Sequence, residues 1–180
     1  TALFSAAAPS PAAAPEAPAL AAADAGRTPT TETEAYQALL ARVHRKTGSI
    51  PAQHLVAHVL SVTRGGGWPV QREAMEALLR RHAFGKKDSL EILARPPGGA
   101  LYGIYRTARG RSSERPYQTH LESIEPPRGS CDCPDFLHSS LGLCKHLIAI
   151  LENLHTKPRA LKRALLGEEN RRASTRSAPF

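Results

Sequence analysis

Aromatic side chains are scarce in this chain, making up 5% of its 180 residues, with a single Met and a single Trp. A core built from it is aliphatic and modest. No apolar run approaches the roughly 18 residues of a membrane-spanning helix, so no transmembrane segment is expected. The string G-x-x-x-x-G-K-[ST], whose glycine-rich loop cradles nucleotide phosphates, does not occur. Gly85-Lys86-Lys87 comes nearest and lacks both the first glycine and the hydroxyl residue. No Ser-His-Asp set, no paired carboxylates and no internal repeat stand out, and the length leaves no room for a TIM barrel or a two-lobed motor. The amino terminus lacks the basic and apolar regions of a signal peptide. Cysteine is equally sparse: Cys131, Cys133 and Cys144 sit in one stretch. An odd, clustered set argues against a secreted disulfide scaffold and points to the reducing cytosol.

What the chain has in excess is positive charge, 24 Lys and Arg against 16 Asp and Glu. Residues 1–30 read as a disordered leader rich in Ala and Pro, because its prolines interrupt every helical stretch and leave no apolar face to bury. Residues 31–88 carry nine basic and five acidic side chains and read as a helical subdomain. Tyr36, Leu39, Leu40 and Val43 share a face at helical spacing, Gly48 ends that helix, and Ser49 is a candidate cap for a second one through Leu55, Val56, Val59 and Leu60. Gly65-Gly66-Gly67 separates a third helix through Met75, Leu78 and Leu79, closing near Gly85.

Beyond Lys87 the apolar period shifts towards two. Residues 90–94 form a candidate strand, Pro96-Pro97-Gly98-Gly99 a turn, and residues 101–107 and 117–124 a hairpin. The string PPRGS reads as a second turn, and residues 144–154 as a helix with Leu147, Ile150, Leu151 and Leu154 on one face. Residues 89–155 carry seven charges of each sign, and residues 156–180 seven basic against two acidic, so the last segment is expected to be a basic tail with a short amphipathic helix.

Cys131-Asp132-Cys133 precedes Cys144-Lys145-His146. Three thiolates and one imidazole complete a tetrahedral zinc site of the closed kind, with no position left for a water nucleophile. Helix positions i and i+2 diverge, so Cys144 and His146 converge only with Cys144 at a helix mouth and His146 in its first turn. His138 and His120 compete for the fourth position on spacing alone. Asp132 and Asp135 are harder ligands than a thiolate-rich site prefers and read as outer groups. His54 and His58 stand at i, i+4, but leucine replaces the glutamate of H-E-x-x-H, which disfavours a protease.

A hairpin, Cys-x-Cys, a variable loop, Cys-x-His and a following helix together resemble the SWIM-type zinc finger of Swi/Snf-type ATPases and Mutator-type transposases. Phe136, Gly142 and the run CKHLIAIL match that family's usual surroundings, over roughly residues 101–154. The resemblance implies that Cys131, Cys133, Cys144 and His146 hold zinc, and that the module binds nucleic acid or protein rather than catalysing a reaction. The chain also resembles the N-terminal part of bacterial Swi/Snf-like helicases, whose motor is missing from this sequence.

The expected architecture is α+β: a disordered leader (1–30), a helical subdomain (31–88), a SWIM-type module of hairpin, zinc knuckle and helix (89–155), and a basic tail (156–180). The expected role is a non-enzymatic, cytoplasmic or nucleoid-associated accessory to a Swi/Snf-like helicase, binding DNA or RNA. The alternative is docking on a motor or other protein; neither a membrane nor a small-molecule substrate is expected. Candidate phosphate contacts are Arg106, Arg109, Arg111 and Arg115 around the hairpin loop and Lys157, Arg159, Lys162 and Arg163 in the tail.

Overall fold

A computed structural model describes residues 28–44, 46–110 and 115–176, with side chains as far as residue 169. The leader, apart from its last three residues, and Arg111 lie outside this set. Helix α1 (Glu32–Val43) starts in a capping box: the Thr31 hydroxyl accepts from the Glu34 amide at 3.2 Å, and the Glu34 carboxylate accepts from the Thr31 amide at 3.3 Å. Ala35, Leu39 and Val43 form its buried stripe. Helix α2 (Ala52–Val62) is capped by Pro51 rather than by Ser49. The Ser49 hydroxyl instead donates to the Glu152 carbonyl at 2.8 Å, a contact 103 residues away that outcompetes local capping. Helix α3 (Trp68–Lys87) runs past Gly85, which is buried against Lys145 at the start of α5 (Lys145–His155).

The strands β1 (Leu90–Ala94), β2 (Gly103–Arg109), β3 (Tyr117–Ile124) and β4 (Pro127–Cys131) form one antiparallel sheet in chain order. The hairpin expected from the sequence is thus the centre of a four-stranded meander. Most of PPRGS belongs to β4 rather than to a turn: Pro127 pairs with Ile124, where a missing amide donor is tolerated at an edge strand. Gly129 explains how β4 packs so closely. A Cβ there would overlap the His120 carbonyl oxygen and come within 2.8 Å of Leu147 Cδ2.

The short helix α4 (Pro134–Leu137) leads into α5, and α6 (Pro158–Arg176) follows. α5 carries Leu147, Ile148, Ile150, Leu151 and Leu154 into a buried cluster with Tyr105, Leu121 and Ile124 of the sheet. The same cluster takes in Leu39, Val43, Leu55, Val59, Met75 and Leu78, so the first three helices and the cysteine region share one continuous core. A polar clasp reinforces the contact: His82 donates from Nε2 to Glu152 Oε2 at 3.2 Å, and Lys86 Nζ lies 3.3 Å from Glu152 Oε1. The tail is a longer helix than expected, 19 residues, docked through Leu161, Ala164 and Leu165 and through Glu168, which accepts from the Leu101 amide at 3.1 Å. Among the described residues no helix is long and apolar enough to cross a membrane.

Candidate metal centre

Three elements converge on one point. Cys131 ends β4, Cys133 is the N-cap of α4, and Cys144 is the N-cap of α5 with His146 in its first turn. Pro134 opens α4 directly after Cys133, which turns the chain so that the two sulfurs point inward from different elements. One ligand atom from each of the four residues lies within 4.8 Å of all the others. His146 Nδ1 stands 3.8 Å from Cys131 Sγ and 4.0 Å from Cys144 Sγ. A tetrahedral zinc with ordinary bond lengths sets sulfur–nitrogen separations of about 3.6 Å and sulfur–sulfur separations of about 3.8 Å, so the residues fit the ion.

Burial makes the site closed. Exposure is 5%, 1%, 0% and 2% for Cys131, Cys133, Cys144 and His146, so the four side chains are almost wholly withdrawn from solvent. Crowding three thiols in this space lets only one sulfur carry charge in the absence of a cation. Hydrogen bonds from Cys133 and then Cys144 hold the Cys131 thiol far below its ordinary range. Its bond to Cys131 pushes Cys133 up to about 11, and bonds to Cys131 and Cys133 push Cys144 up as well. A divalent cation removes that conflict by deprotonating all three.

The groups behind the ligands were not foreseen from the sequence. Thr119 Oγ1 lies 3.3 Å from Cys131 Sγ, and Thr107 Oγ1 lies 3.3 Å from Thr119 Oγ1, both threonines fully buried. A bound thiolate accepts only, so Thr119 donates to sulfur and Thr107 donates to Thr119. Their inward placement on β2 and β3 was the available signal. Tyr117 packs on the His146 ring with centroids 4.8 Å apart. Asp132 closes the end of the β3–β4 ladder, accepting from the Gln118 amide at 2.9 Å, and Asp135 is held by Arg81 Nε, 3.1 Å from each of its oxygens.

Residues 123–155 match the SWIM zinc finger family. The match begins in β3, takes in all four candidate ligands and ends at the last residue of α5. Helices α1 to α3 and strands β1 and β2 lie outside it. No curated protein and no solved structure matches the chain.

The competing histidines are elsewhere. His138 and His120 are exposed, and His120 faces Glu122 at 3.7 Å. His54 and His58 form no metal pair: His58 donates from Nε2 to the Leu141 carbonyl at 2.7 Å, and His54 Nε2 meets Glu125 at 3.2 Å. Among the described residues the SWIM cluster is the one group of three or more such side chains placed to hold a metal. Arg106, Arg109 and Arg115 are exposed near the hairpin, while Lys157, Arg159, Lys162 and Arg163 are exposed on and just before α6. α6 docks beside the start of β2 through Glu168 and the Leu101 amide.

Proposed function

We propose that this chain is a zinc-stabilised, non-catalytic binding module whose ligands are Cys131, Cys133, Cys144 and His146 and whose partner is nucleic acid. The observation that carries the reading is the buried four-ligand cluster within a matched SWIM segment. In it zinc acts as a staple: bound, it supplies no nucleophile and fixes the ends of β4, α4 and α5 against each other. The chain's own residues do the binding. Arginine supplies 18 of the 24 basic side chains, and its planar fork suits phosphate oxygens. Arg106 and Arg115 near the hairpin and Lys157, Arg159, Lys162 and Arg163 of the tail stand in solvent, available for such contacts, while Arg109, also exposed, pairs with Asp88 at 3.6 Å. This role places the module in the cytoplasm or at the nucleoid, as the accessory of a Swi/Snf-type helicase; the helicase assignment draws on the resemblance alone.

A second reading, docking on another protein, is favoured by one feature. Val62 and Val70, 41% and 50% exposed, border a groove of about 610 Å³ along α3. A salt titration separates the two. Phosphate binding weakens steeply as salt rises, because each neutralised phosphate releases counterions. Failure of DNA and RNA alike to bind at low salt sinks the nucleic-acid reading and leaves protein docking.

A further inference from the structure

A concavity of about 430 Å³ lies between α3 and the finger, a second of about 280 Å³ lies between the sheet and the metal cluster, and both are lined by Asp88, Asp135 and Lys145. Sharing these three residues, they adjoin, and we take them together as one groove, whose smaller part is lined by Cys133 and His146 of the metal cluster. Arg80 and Arg81 stand on the α3 side of it, and Arg109 and Arg115 on the hairpin side. With Lys145 these make five cations against two carboxylates. Both carboxylates are already engaged, Asp135 by Arg81, and Asp88 by Lys145 and by Arg109 at 3.6 Å. Neither Arg80 nor Arg115 has an ion-pair partner among the described residues. The groove therefore holds uncompensated positive charge at both ends.

Phe84 sits on α3 four residues after Arg80, on the same helix face, and 55% of it is exposed. Core packing does not account for an exposed phenyl ring in a chain with only four Phe. A planar apolar surface beside free guanidinium groups has a direct use: it stacks a base while the arginines take the flanking phosphates. A duplex buries its base faces in the stack, out of reach of such a platform; a single strand exposes those faces and bends.

We propose that this groove is a track for single-stranded nucleic acid, with Phe84 as the base platform and Arg80 and Arg115 as phosphate contacts. The proposal rests on the nucleic-acid reading above and places its three named contacts outside the matched SWIM segment, on α3 and just before β3. It also explains why the helices share a core with the finger: the track needs both walls fixed.

The test is fluorescence anisotropy of the zinc-loaded full chain with a labelled 12-mer of deoxythymidine and with a duplex of equal length. Phe84→Ala should weaken single-strand binding on the order of 10- to 100-fold, with Phe84→Trp restoring it. Arg80→Ala and Arg115→Ala should each lower the salt slope by about 0.7, while Arg128→Ala, exposed on the far face of the sheet, leaves affinity unchanged. Unchanged melting temperatures of these surface variants confirm that binding, not folding, is being read. If the wild type binds the strand and Phe84→Ala binds equally well, or if the duplex binds more tightly, the track is wrong while the nucleic-acid reading stands. If the wild type binds neither probe, both fall. Phe84-dependent binding of an acidic peptide, with no oligonucleotide binding, would assign the groove to a protein.

Discussion

Thr119→Val tests whether the buried hydroxyl chain tunes the metal or merely fills space. Valine nearly matches threonine in volume, so the change removes one hydroxyl from a site with 0% exposure and little else. The lost interaction is a donor to a thiolate at 3.3 Å, and hydrogen bonds to charged groups contribute about 1.5–3 kcal/mol. Outer-shell partners of metal ligands typically account for 10- to 100-fold in affinity, which is the same range expressed as about 1.4–2.7 kcal/mol. Zinc affinity measured by chelator competition should fall by that factor. Thr107→Val should cost much less, because it leaves Thr119 free to donate to sulfur and removes only the bond behind it. In zinc affinity the double variant should match Thr119→Val alone, since Thr107 acts on sulfur only through Thr119, while its stability should recover in part because the unpaired Thr107 hydroxyl is gone. If Thr119→Val keeps zinc affinity within twofold while lowering the melting temperature, the hydroxyl serves packing and the donor chain is refuted.

Cys144→Ser should abolish cooperative melting of the whole chain, because α5 supplies the core to both the sheet and the first three helices. Metal-coupled folding contributes on the order of 10 kcal/mol, comparable to total domain stability, and loss of amide protection throughout α1 to α3 would confirm the effect. Gly129→Ala should destabilise by at least about 2 kcal/mol through collision with the His120 carbonyl, whereas Gly167→Ala in α6, with nothing within 4 Å of its new methyl, should stabilise by up to about 1 kcal/mol in chemical denaturation. Burial holds the imidazoles of His58, His82 and His155 below the ordinary 6.5, with Glu152 partly offsetting this at His82. The unfolded chain then binds more protons below pH 6.5, so stability is full above that value and falls as the pH drops through the lowered values. Thermal melts from pH 8 to 5 at saturating zinc should show this slope, and His82→Gln should flatten it.

The ligand set was legible because chemistry constrains spacing: Cys144 and His146 meet only at a helix mouth, and α5 begins there. The three helices and the central strands were legible from their apolar periods. β4 was not, because Pro127 and Gly129 are turn residues by local preference and become strand residues only against β3 and Leu147. The misread cap at Ser49 has the same origin, a partner 103 residues away. The Thr107–Thr119–Cys131 chain depends on cross-strand register, which single-strand patterning does not specify. Charge was the least informative guide, since the net excess belongs to residues 31–88 and 156–180, while residues 89–155, which hold the metal cluster, carry seven charges of each sign.

Metal content of the purified full chain, by elemental analysis alongside circular dichroism, tests the central claim most directly. The expected result is one zinc per chain, with helical signal lost on chelation and restored by adding zinc back. A folded chain with no stoichiometric metal, indifferent to chelators, would contradict it.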